Sequence, residues 1–164
     1  MNDYEALMDY KLIEFAKINI DIVKRIKDYS IRNCRKIISS KYITYTLHNF
    51  DYGLAYFRTE ILNKTNEHKN RPCAFACVKF VDENLFLLLI CSVKNNDHLG
   101  TKILQKVFNL AKRKGIYKIL LECNSDNVNF YKKFNFIEED TNNEKIIQMI
   151  KYLNYLLNYF TYII

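Results

Sequence analysis

The stretch Leu85-Phe-Leu-Leu-Leu-Ile90 carries no polar residue. A run that short, apolar on both faces, suits a strand covered from both sides at the centre of a sheet. Its flanks extend the reading. Upstream, Cys73–Val81 reads as a strand and Asp82-Glu-Asn84 as a turn, so the two runs make a hairpin. Downstream, 93–98 is a polar loop, and 101–114 places Ile103, Leu104, Val107, Phe108 and Ala111 on one helical stripe. Lys112, Arg113 and Lys114 complement the helix dipole in the last turn, and Gly115 follows as the residue that ends it.

Beyond that helix, 116–123 reads as another buried strand and 125–133 as a short helix capped by Ser125 or Asp126. Residues 144–153 read as a closing strand. The amino-terminal half is less legible. Residues 3–29 read as one helix, continuous or broken, with Leu7, Met8, Leu12, Phe15, Ile18, Ile22 and Ile26 near one face. Residues 30–38 read as a second short helix and 41–47, alternating Tyr, Thr and Ile, as a strand. Residues 52–71 are ambiguous, with a polar loop over 63–71. The expected fold is α/β of the mixed α+β kind: a mostly antiparallel sheet with helices on both faces. A chain of 164 residues suits one domain, 1–164.

The formal charge is +7, from 25 basic and 18 acidic residues. An anionic partner explains this, whether a phosphorylated cofactor, an acidic substrate or nucleic acid. A lysine-rich surface from an AT-rich genome explains it as well, and is favoured because the basic residues are scattered. The five cysteines include no Cys-x-x-Cys pair, and read as small buried hydrophobes rather than metal ligands or disulfides, with Cys73 and Cys77 on one strand face. His48 and His68 have no companions at ligand spacing, so no metal site is expected. The acidic start of the chain is unlike a signal peptide, and a cytoplasmic location is expected. The apolar tail 154–164 is interrupted by Asn154 and Asn158, with Gln148 and Lys151 just before it. It is expected to pack on the domain or on a second subunit, not to enter a membrane.

Chemistry concentrates where the central strand ends. From Ile90 to Leu104 a buried strand gives way to a polar loop and then to a helix opening at Gly100-Thr101. The first N–H groups of a helix lack internal partners and favour an anion, and Gly100 lets a ligand approach the backbone. No Gly-Lys-Ser/Thr ending or Gly-x-Gly is present, which excludes a Walker loop and a dinucleotide fingerprint.

This strand, loop, helix and strand, followed by Asn127-Val-Asn-Phe-Tyr-Lys-Lys-Phe-Asn-Phe136, resembles the core of a GNAT acetyltransferase over about residues 73–153. Lys118–Phe134 is similar to glucosamine-6-phosphate N-acetyltransferases. The resemblance implies acetyl-CoA as co-substrate. Ile90, Cys91 and Ser92 would offer backbone groups to the pantetheine arm. Asn95, Asp97, His98, Leu99, Gly100 and Thr101 would wrap the pyrophosphate. The family pattern has Arg or Gln where this chain has Asn95, and Gly where it has His98; Gly100 keeps the last small position.

Tyr131 matches the tyrosine whose hydroxyl faces the thioester sulfur, with Phe130 beside it on the cofactor side; both rings equally suit the core. Glu122, nine positions earlier (131 − 122 = 9), matches an acid beside the reacting amine, or is a solvent-facing strand residue. Asn124 and Asn127 reach the cofactor or cap a helix. His98, Lys102 and Lys106 contact phosphate or face solvent. Many relatives carry an acid on the central strand; here that strand has none, which leaves Glu122, Asp82, Glu83 or ordered water as base.

The function implied is acetyl transfer from acetyl-CoA to a primary amine by direct attack. Glucosamine 6-phosphate is the preferred acceptor and a protein lysine or N-terminal amine the rival. A coenzyme A-binding module without turnover is a second class. Binding of single-stranded nucleic acid through surface lysines and aromatics is a third, and is not expected. The resemblance also allows a homodimer.

Overall fold

A computed structural model of the chain describes residues 10–34, 38–61, 68–92, 98–139 and 146–153. In order these form β1 (Tyr10–Phe15), α1 (Ile20–Asn33), α2 (Ser40–Asn49), β2 (Tyr52–Ile61), β3 (His68–Val81), β4 (Asn84–Ser92), α3 (Leu99–Arg113), β5 (Lys118–Cys123), α4 (Ser125–Lys132), β6 (Ile137–Glu138) and β7 (Ile147–Tyr152). The strands make one seven-stranded sheet in the order β1-β2-β3-β4-β5-β7-β6. β4 and β5 pair in parallel, and the other neighbours are antiparallel. The mixed, mostly antiparallel sheet expected from the sequence is the fold found.

Two apolar cores lie on opposite faces. On one face Ile103, Leu104, Val107 and Leu110 of α3, with Val128 and Tyr131 of α4, cover Ala74, Ala76, Val78, Leu85, Leu87, Ile119 and Leu121. On the other, Ile26 and Tyr29 of α1 and Ile43 and Leu47 of α2 cover Phe15, Ala55, Phe57, Phe75, Cys77, Leu89 and Cys91.

Bulges determine which side chains reach which core. In β4 the register steps from Val78↔Leu87 to Cys77↔Leu89 and skips Leu88. One extra residue inverts the pleat. Leu85 and Leu87 accordingly face α3, whereas Leu89 and Cys91 face α1 and α2. A second skip, at Cys73 between Ala74↔Tyr56 and Pro72↔Phe57, places Cys73 in the α3 core and Cys77 in the opposite one. The two thiols therefore do not share a face as their spacing predicts.

The amino-terminal half corrects the sequence reading. The helix expected over 3–29 is divided among the described residues. Tyr10–Phe15 pairs with β2 as an edge strand, and helix begins at Ile20. Between them the Asn19 side chain accepts a hydrogen bond from the Ala16 amide at 2.8 Å, closing a turn. Cross-strand pairing overrides the local helical spacing. Glu14 holds the new strand to its surroundings, accepting from the Tyr52 hydroxyl and from Arg113 Nη2, the latter at 2.9 Å. The short helix expected over 30–38 is the end of α1, which stops at Asn33; residues 35–37 lie outside the described set.

The strand expected over 41–47 is helix α2. Ser39 Oγ accepts from the Tyr42 amide at 3.2 Å, and Ile43, Thr46 and Leu47 are buried at helical spacing. The polar loop expected over 63–71 is strand from His68 onward. The cap of α4 is Asn124, not Ser125 or Asp126. Gly115 takes the left-handed conformation expected after α3, with φ 69°.

The cysteines also differ from expectation. Cys34, at the end of α1, is joined to Cys91 of β4 in a disulfide, 57 residues apart in sequence, while Cys73, Cys77 and Cys123 are buried thiols. Among the described residues no group of His, Cys, Asp and Glu is arranged to hold a metal, and no helix is long and apolar enough to cross a membrane.

Two predictions follow from the packing. Gly53 pairs with Phe15, and a Cβ there would overlap the buried Phe15 ring. Gly53→Ala is expected to destabilise the fold by about 1–3 kcal/mol in chemical denaturation, as overpacking does; an unchanged midpoint would contradict this packing. Alkylation of the unreduced, denatured chain should modify Cys73, Cys77 and Cys123 and spare Cys34 and Cys91. Reducing the pair should lower stability by about 2–4 kcal/mol. Modification of all five cysteines without reductant would show that the pair is not formed.

Candidate active site

β4 and β5 run side by side from Asn84↔Lys118 to Leu87↔Leu121 and no further. β4 continues to Ser92 and β5 to Cys123, so their last residues part. The cause lies in β4. The bulge at Leu88 follows the last shared pair, and a bulge bends its strand and increases its twist. β5 stays with β7 as far as Cys123↔Ile147. The result is a gap through the sheet, edged on one side by backbone from Leu88 to Ser92 and on the other by Glu122 and Cys123.

Three elements converge on this gap. α3 starts at Leu99, two residues before the expected Thr101, after His98 in a left-handed conformation (φ 51°) whose side chain makes no cap. The first amides of α3 therefore have no intrahelical acceptor. Buried Leu99 anchors the turn, and Gly100 lies so close to β4 that an added Cβ would sit 3.0 Å from Ser92 Oγ. The helix start and the end of the central strand thus form one concave backbone surface with the donors an anion needs. Ile90 packs toward the α3 core, while the Cys91 side chain turns to α1 in its disulfide. Thr101 and Lys106 are half-buried, and His98 and Lys102 are exposed. Asn95 and Asp97 lie outside the described residues.

From the α3 face comes Tyr131. It is buried against Phe130 and Phe136, with ring centroids at 5.1 and 5.6 Å. Burial pushes its phenol well above the usual tyrosine range, with the nearby Cys123 and Tyr42 adding to the effect. The proton is held firmly. Cys123, the last residue of β5, also lies here, its thiol raised chiefly by burial. Phe130 and Asn127 are half-buried beside the gap. Asn124 is exposed at the cap position of α4; its carbonyl accepts the Asn127 amide at 2.9 Å while its side chain makes no cap.

From the other face comes Glu122. Leu121 and Cys123 belong to the α3 core, so the intervening side chain leaves the sheet toward α2. Glu122 is exposed there and accepts a long hydrogen bond, 3.5 Å, from Gln148 Nε2. Asp82 and Glu83, the other candidate bases, sit in the β3–β4 turn near Gly115 and Tyr117, at the end of β4 remote from the gap.

Across the opening stands Tyr42 of α2, which the sequence reading passed over. Its hydroxyl donates to the Leu88 carbonyl at 2.9 Å. Burial raises its phenol, and the Glu122 carboxylate raises it further. A strand over 41–47 gives Tyr42 no place at the gap, whereas the helix found there does. Ser39 three positions before it, and Ile43 and Leu47 four apart, were the signals of a capped helix.

Comparison with known proteins gives the family. A model of the acetyltransferase (GNAT) family matches residues 34–136. No curated protein matches the chain. Among solved structures, the chain is similar to a PaiA N-acetyltransferase from Thermoplasma acidophilum in complex with coenzyme A, at 17% identity and a TM-score of 0.60, over 88% of this chain and 99% of that one. It is similar to the catalytic domain of the Tetrahymena GCN5 histone acetyltransferase in complex with coenzyme A, at 13% identity and a TM-score of 0.61, over 94% and 98%. It is also similar to the ribosomal-protein-S18-alanine N-acetyltransferase of Escherichia coli, at 14% identity and a TM-score of 0.60, over 88% and 93%. These likenesses concern the fold. The family match spans more than half of the chain: it belongs to the acetyltransferase (GNAT) family, acyltransferases that use acetyl-CoA as co-substrate.

Proposed function

We propose that the protein transfers an acetyl group from acetyl-CoA to a primary amine, with the thioester in the gap between β4 and β5 and the amine arriving from the α2 face. The observation that carries this reading is the arrangement of Glu122 and Tyr131. A carboxylate and a protonated phenol approach one gap from opposite faces of the sheet.

Direct attack needs that polarity. The amine, with a pKa of about 8–10, must shed its proton before or as it bonds to the carbonyl carbon. Glu122 takes that proton, directly or through water. The carbon–sulfur bond then breaks, and the departing sulfur receives the phenolic proton of Tyr131. Residues on one face handle the nucleophile and a residue on the other handles the leaving group. The amides that open α3, together with the close approach at Gly100, hold the pyrophosphate. The backbone of Ile90, Cys91 and Ser92 borders the pantetheine arm, with Asn127 and Phe130 beside it. Asn95, Asp97 and Asn124 complete the set proposed from the sequence.

Glucosamine 6-phosphate is the acceptor we favour, on the similarity of residues 118–134 to enzymes acting on it. The formal charge of +7 suits a phosphorylated substrate. A protein amine is the second reading. It draws on the similar structures named for histone and ribosomal-protein alanine acetylation. A cytoplasmic location fits the use of acetyl-CoA, although the Cys34–Cys91 disulfide is a bond that reducing compartments disfavour.

The test is release of free thiol from acetyl-CoA with glucosamine 6-phosphate, a lysine peptide and an N-terminal alanine peptide as acceptors. Tyr131→Phe is expected to lower kcat by at least about tenfold with little change in KM for acetyl-CoA. Because burial raises the phenol, the wild-type rate should not fall as pH rises to about 10, where an ordinary tyrosine ionises. Glu122→Gln is expected to cost about a hundredfold near neutral pH and to recover as pH approaches the pKa of the amine. Binding of coenzyme A without turnover on any acceptor would instead identify a module that has lost the reaction.

A further inference from the structure

We propose that Tyr42 is a positioning residue for acyl transfer: its hydroxyl pins the β4 bulge at Leu88 and so fixes the strand edge against which the thioester lies. The inference deepens the acyl-transfer reading and rests on it.

Leu88 has no register partner in β3, where pairing steps from Leu87 to Leu89, and none in β5, where pairing ends at Leu87. A bulge residue left out of both registers is less constrained than its paired neighbours. Here that residue borders the gap. Its carbonyl is nevertheless not left open, since the Tyr42 hydroxyl donates to it at 2.9 Å from outside the sheet.

The donor itself is well held. Ser39 caps α2 by accepting the Tyr42 amide, and Ile43 and Leu47, one residue and five residues further on, are buried in the α1/α2 core. Tyr42 thus reaches β4 from a helix fastened at its first turn and along its apolar face. The residue remains 37% exposed at the mouth of the gap. Glu122 leaves β5 on the same face. The contact therefore joins the wall that carries the carboxylate's neighbour to the strand edge that would face the thioester. Without the hydroxyl, the Leu88 carbonyl would also be a free acceptor at the entrance. A carbonyl there would hold an incoming ammonium in its protonated, unreactive form.

Tyr42→Phe removes the hydroxyl and keeps the ring. In the full chain, amide hydrogen exchange over 87–90 should speed up by about tenfold, since opening a locally anchored segment becomes easier. Coenzyme A affinity by calorimetry should stay within about twofold, because the pyrophosphate cradle is untouched, while kcat falls by about tenfold at nearly constant KM. Tyr45→Phe serves as a control. Tyr45 is 61% exposed on the same helix, and its variant should match the wild type in all three measurements.

Wild-type exchange in Tyr42→Phe overturns the proposal, and so does faster exchange with unchanged kcat. Absence of turnover by the wild-type protein on every amine is a failure of the acyl-transfer reading. The exchange comparison would still decide whether the hydroxyl pins the bulge.

Discussion

The separation of two parallel strands organises this molecule. β4 and β5 share backbone pairs as far as Leu87 and Leu121 and then part, because one extra residue at Leu88 bends β4 away while β7 keeps β5 in line. The same residue inverts the pleat of β4. Before it, the buried Leu85 and Leu87 feed the α3 core; after it, the buried Leu89 and Cys91 feed the α1/α2 core. A single bulge thus opens a passage through the sheet and seals both ends of the strand that lines it. The passage is bounded by the edges that β4 and β5 no longer share, whose main-chain groups can contact an extended, amide-bearing ligand without relying on particular side chains.

In the proposed reading main-chain groups hold the pyrophosphate, so the side chains of Asn95 and His98 need not supply that contact. Those groups are the amides that open α3, which lies close against β4 where Gly100 has no side chain. In the same proposed reading the base is Glu122, because the central strand carries no acid. Glu122 emerges on the face of α2, and Tyr131 lies on the other, in the apolar pocket of Phe130 and Phe136 that keeps its proton in place. The division between faces is a consequence of strand alternation: Glu122 lies between Leu121 and Cys123, both committed to the α3 core.

The half of the chain from Cys73 to Leu153 was legible because its signals were local. Buried strands announced themselves as apolar runs, and α3 as a clean stripe ended by Gly115. The short strand Ile137–Glu138 lacked any such signal, being an exposed two-residue pairing. The first half departs from its sequence reading for two reasons, long-range pairing in one segment and an overlooked local cap in the other. Tyr10–Phe15 has helical spacing with its neighbours but becomes a strand by pairing with β2, and 41–47 has β-branched alternation but is a helix capped by Ser39. The Cys34–Cys91 pair, between the end of α1 and the far end of β4, has no sequence signature at all. Of the candidate site, Gly100 is read from the strand-loop-helix pattern, and Tyr131 and Glu122 from the family resemblance of one contiguous segment. Tyr42 is read from neither, because its partner carbonyl is 46 positions away.

The central claim is that the gap beyond Leu87 and Leu121 receives the thioester arm of acetyl-CoA. A crystal structure of the protein grown with coenzyme A tests it most directly. The account predicts the pyrophosphate on the amides that open α3 at Leu99–Thr101, the pantetheine along β4 from Leu88 to Ser92, and the sulfur within reach of the Tyr131 hydroxyl. Coenzyme A bound elsewhere, or β4 and β5 zipped together to their ends, would contradict it.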